Sequence, residues 1–133
     1  MATLSAITSL PAETHEKLKR AGILSTDALV MRCSTAENRR YVASLSGLTE
    51  PELFVIAQAC ELFRLKRVGV QSYELMLLLG IKSLPQLAAS RHEDLYATII
   101  SLPSEQTLGR QLPRVETLQD WVQNARALTS RVR

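Results

Sequence analysis

Aromatic side chains are scarce in this chain: two Phe, three Tyr and one Trp, 5% of 133 residues. Its core must therefore be aliphatic, which suits an apolar fraction of 46%. Cysteine is nearly absent too. Cys33 and Cys60 lie in apolar helical contexts without metal-ligand spacing, so they read as two reduced, buried thiols of a cytosolic protein. The two histidines, His15 and His92, are isolated. With no His/Cys/Asp cluster, phosphate loop or nucleophile elbow, no catalysis, metal, cofactor or small-molecule substrate is expected. Apolar runs such as Leu75 to Leu79 fall far short of the about 20 residues a membrane span needs. The opening MATLSAITSL lacks the basic start and apolar stretch of a signal peptide, so a cytoplasmic location is expected. The net charge of +3 permits a nucleic-acid partner but does not imply one.

What the sequence does have is helix punctuation. Gly22, Gly47 and Gly80 each follow a helical stretch, where a left-handed residue stops a helix. Ser25, Thr26 and Ser83 are natural N-caps. Ser34 to Glu37, Thr49 to Glu52 and Ser90 to Glu93 read as capping boxes, and Pro51 and Pro85 fit first turns. These signals predict eight short helices near 12–21, 27–32, 35–45, 50–64, 71–79, 84–89, 91–101 and 114–129. A loop at 103–113 has room for a helical turn. No stretch alternates with period two, so the expected class is all-α without a sheet. Helix 50–64 is apolar on nearly every side and is expected at the centre, with a partner face on it or on helix 71–79 as the other use of its surface.

The chain also repeats itself. ITSLPAETHEKLKRAGI at residues 7–23 returns as LKRVGVQSYELMLLLGI at residues 65–81. Identity is low, but the order of turn, helix, Gly-Ile stop and new helix start is kept, which indicates a duplicated helical hairpin. The organisation expected is one domain over 1–133, with repeat unit one at about 7–63 and unit two at about 65–129.

These turn-helix-Gly-Ile units resemble helix-hairpin-helix proteins. Ala21-Gly22-Ile23, Leu65 to Gly69, Leu112 to Glu116 and Trp121, taken in order, make nearly the whole chain similar to the family catalogued as domain of unknown function 4332. The resemblance implies two tandem helix-hairpin-helix-like units around a shared aliphatic core. In DNA-binding members of the wider superfamily a Gly-aliphatic-Gly turn lets the backbone approach a phosphate, and the next helix offers free N–H groups to it. Contacts of that kind are sequence-independent and salt-sensitive.

Against that pattern the first hairpin fails: Ser9-Leu10-Pro11 has no glycine, Pro11 has no N–H, and Glu13 adds a negative charge. The second reads Arg67-Val68-Gly69. Arg64, Lys66, Arg67, Gly69, Gln71 and Ser72 are accordingly the candidate phosphate contacts. Leu75, Leu77 and Leu78 are the candidate protein interface. The expected function is a non-enzymatic protein-interaction or assembly module, with self-association included. Sequence-independent nucleic-acid binding at the second hairpin is the alternative.

Overall fold

The computed structural model describes residues 3–133. Among them are nine α-helices and no strand: α1 (Ala12–Arg20), α2 (Thr26–Arg32), α3 (Ala36–Ser46), α4 (Glu50–Cys60), α5 (Val70–Leu78), α6 (Leu84–Ala88), α7 (His92–Ser101), α8 (Ser104–Thr107) and α9 (Val115–Arg126). Two 3-10 turns, Leu4–Ala6 and Glu61–Arg64, precede the two hairpins.

Several helix ends follow the local chemistry. The hydroxyls of Ser25, Thr49 and Ser83 accept the backbone N–H three residues on, each such cap contributing about 1 kcal/mol. Three expectations are corrected. The α3 cap is Thr35 rather than Ser34, its hydroxyl accepting from Asn38 N–H. Ser90 caps nothing: Arg91 is the N-cap residue of α7, and the Ser90 hydroxyl bonds back to the Gln86 carbonyl. The long helix expected over 50–64 stops being α-helical at Cys60 and tightens into the 3-10 turn. The helical turn anticipated inside the 103–113 loop is α8.

Residues 7–23 and 65–81 share several backbone hydrogen bonds in register. Gly22 and Gly80 both take left-handed conformations, at φ 78° and 84°. Ile23 N–H bonds to Leu18 O and Ile81 N–H to Met76 O, while Gly22 and Gly80 N–H bond to Lys19 O and Leu77 O. Each set closes a helix with the two crossed bonds of a Schellman motif. Ile7 N–H to Leu4 O and Leu65 N–H to Leu62 O close the preceding turns in the same way. Leu18 and Met76, Ile23 and Ile81, Leu29 and Leu87 are buried at matching places.

Packing follows a parallel plan. In the first half α4 packs on α2 and α3; in the second α9 packs on α6 and α7. Leu53, Ala57 and Cys60 carry the α4 core face, and Leu118, Trp121, Val122 and Ala125 carry that of α9. Trp121 is thus a core residue. Aliphatic residues dominate the interior, as the shortage of aromatics requires, with one stacked pair, Phe63 on Tyr73 at 4.5 Å.

Helix α4 departs from expectation in one respect: it is not buried all round. Val55 is 59% exposed, while Leu53, Ala57, Ala59 and Cys60 are buried in the core and Phe54 and Ile56 pack against it. Its principal neighbours are α2, α3 and the short turn at Glu61–Arg64, which leave Val55 uncovered.

Candidate interaction surfaces

At the second hairpin, Lys66, Arg67, Gly69 and Gln71 are exposed and Ser72 is half-buried. The left-handed turn residue is Arg67, at φ 64°, and not Gly69, whose φ is −102°. Gly69 is instead the extended N-cap of α5 and brings no side-chain cap, so the first N–H groups of α5 are free of an internal acceptor at that position. Arg67 is the non-glycine residue at positive φ among the described residues, a conformation that costs an L-residue about 1–2 kcal/mol. At the start of α5, Gln71 and Ser72 rim a cleft of about 420 Å³ together with Gln111, Arg114 and Thr117.

Arg64 does not join this cluster. Its Nη1 donates to Glu61 Oε2 at 2.8 Å and to the Thr129 carbonyl at 2.9 Å, so its charge is used inside the molecule. Arg39 is likewise internal: it is 3% exposed and donates to Glu50, the Cys33 carbonyl and the Arg133 carbonyl, with its guanidinium 4.7 Å above the Phe54 ring. Two arginines that look like free cations in the sequence are therefore structural.

The leucines of α5 divide. Leu75 is 3% exposed and belongs to the core, whereas Leu77 and Leu78 are half-buried and pack against it. A partner can reach part of Leu77 and Leu78 but not Leu75. A mainly apolar groove lies elsewhere. Val55 and Ile56 of α4, Leu10 and Pro11 at the start of α1, and Pro51 line an open groove of about 420 Å³. At this first hairpin Pro11 is the N-cap residue and Glu13 ion-pairs with Lys17 at 3.1 Å.

Glu61 is 1% exposed and fully engaged. Its oxygens accept from Arg64, the Ser130 hydroxyl (2.6 Å), Arg131 N–H (2.8 Å) and Val132 N–H (3.3 Å). Sequence reading passed over Glu61; a lone carboxylate in an apolar stretch is the signal that could have found it, since burial is tolerated only with such partners. Nearby, burial holds the Cys33 thiol up at about 11, against the pull of Arg39 and Arg32. Burial, with the Cys33 thiol beside it, lifts Cys60 to about 12. Neither thiol is a nucleophile at neutral pH. His15 bridges to the Ile7 carbonyl through Nε2 at 2.8 Å, and His92 lies beside Glu93 at 3.0 Å. No group of three or more metal-ligating side chains converges among the described residues, and no described helix is long and apolar enough to cross a membrane.

The architecture defines an all-α protein. Residues 8–128 match the family described as domain of unknown function (DUF4332), and the chain belongs to that family. No curated protein and no solved structure matches it.

Proposed function

We propose that this chain is a non-enzymatic protein-interaction module of the cytoplasm, made of two tandem helix-hairpin-helix-like units, which binds a protein partner or a second copy through the outer face of α4. The exposed Val55, set in the apolar groove with Leu10, Pro11, Pro51 and Ile56, carries this reading. Exposed apolar patches of this kind mark interaction surfaces when they are contiguous rather than scattered. The internal use of Arg64 and Arg39 supports it further, because it leaves Lys66 and Arg67 as the exposed cations of the second hairpin. The test is Val55→Glu, whose exposed position leaves the fold intact. Relative to the wild-type chain, its binding should fall at least about tenfold, since burying a valine is worth about 1.5 kcal/mol and the new carboxylate must also be desolvated. Unchanged binding would reject the α4 face.

Sequence-independent nucleic-acid binding is the second reading, favoured by one observation: Lys66 and Arg67 stand exposed beside the uncapped start of α5. It requires a mobility shift with random duplex DNA that fades as salt rises and is abolished by Arg67→Glu. No shift at low salt would remove it.

A further inference from the structure

Beyond α9 the chain runs as a non-helical strap, and its polar bonds to the rest of the molecule are all on the first half. Thr129 O accepts from Arg64, while Ser130, Arg131 and Val132 all donate to the buried Glu61 carboxylate. Arg133 N–H donates to Ser34 O at 2.8 Å, and Arg133 O accepts from Arg39 at 2.7 Å. Val132 is itself buried, at 4% exposure. Ser34, Arg39, Glu61 and Arg64 thus form a receptor for one extended peptide, reading its backbone, one hydroxyl and one apolar side chain. Two of the receptor groups are buried charges whose unfilled bonds would be costly, so the groove requires an occupant. The occupant is joined to α9 only through the short stretch Ala127–Leu128, outside any helix. Nothing in the anchoring contacts depends on the strap and groove belonging to one chain.

We propose that the groove accepts the strap of a second copy of this chain in trans, so that copies assemble by exchanging residues 129–133. This deepens, and rests on, the reading of the chain as a module that works through protein contacts. In a closed monomer the tethered strap competes at an effective concentration on the order of millimolar, so exchange is seen when the cis contact is weakened.

Two full-length variants separate strap from groove. Ser130→Asp sets a second carboxylate against Glu61 and expels the strap while leaving the groove whole. Glu61→Gln spoils the groove and leaves the strap whole. Each alone should remain at the 14.8 kDa chain mass in light scattering. Mixed in equal amounts they should yield a heterodimer of twice that mass, the Glu61→Gln strap seated in the Ser130→Asp groove. A fluorescein-labelled peptide spanning residues 127–133 should bind Ser130→Asp at least about tenfold tighter than wild type, with a scrambled peptide inert. The peptide measurement stands by itself if Glu61→Gln fails to fold by circular dichroism, and a Ser130→Asp chain that stays unfolded even with the peptide present overturns the proposal. A folded Ser130→Asp that ignores the peptide overturns the proposal, as does a mixture in which both variants fold and no heterodimer forms. Either result leaves the Val55 groove, and the wider reading, to be judged by its own variant.

Discussion

Replacing Arg67 tests the turn that distinguishes the two hairpins. Arg67 sits at φ 64°, where glycine is relaxed and a residue bearing Cβ is strained. Arg67→Gly and Arg67→Ala remove the same guanidinium, so any nucleic-acid contact falls equally in both. They differ in the backbone. Alanine keeps the left-handed strain of about 1–2 kcal/mol, whereas glycine relieves it at a cost of about 0.5–1 kcal/mol in added freedom of the unfolded chain. Glycine should therefore be more stable than alanine by about 0.5–1 kcal/mol. For a domain of this size that is a melting-temperature difference of about 2–4 °C. Paired thermal melts by circular dichroism at neutral pH measure it directly. An alanine variant as stable as the glycine variant would refute the claim that strain is stored at this turn.

Glu61→Ala should lower stability by about 3–5 kcal/mol in urea unfolding, because it strands Arg64 and three donors of the strap; a loss under about 1 kcal/mol would show the cluster to be incidental. Leu75→Glu should unfold the chain or leave it insoluble, while Val55→Glu stays folded, so equal behaviour of the two in a melt would contradict their assigned burial. The two thiols make stability pH-dependent in a defined direction. Their folded values lie above the ordinary 9.0, so the folded state holds protons that the unfolded chain releases. Their contribution is complete below about pH 9 and is lost as pH rises towards 11 and 12. A Cys33→Ala, Cys60→Ala double variant should flatten the alkaline fall in melting temperature; an unchanged fall would reject this origin.

The helices were legible in the sequence because their boundaries rest on local chemistry. Glycines 22, 47 and 80 stop helices at positive φ, and Ser25, Thr49 and Ser83 cap them as their types dictate. Ser90 shows the limit of such signals: its hydroxyl had an equally good carbonyl one turn back, and took it. Surfaces were harder to read because burial is a property of neighbours. Val55 lies in an apolar run yet faces outwards, since the elements packed on α4 occupy its other side. Arg64 and Arg39 belong to residue types that suggest a free cation, but each also donates to a carbonyl far along the chain, at residues 129 and 133 respectively. Gly69 drew the turn assignment by composition, and the strain fell two residues earlier on Arg67.

The most direct measurement of the central claim is affinity capture from native-host extract with wild-type and Val55→Glu baits, after nuclease treatment, quantified by mass spectrometry. The account predicts one or a few proteins, this chain itself among the candidates, enriched on wild type and lost on Val55→Glu. Identical sets on both baits, or material that disappears with nuclease alone, would contradict it.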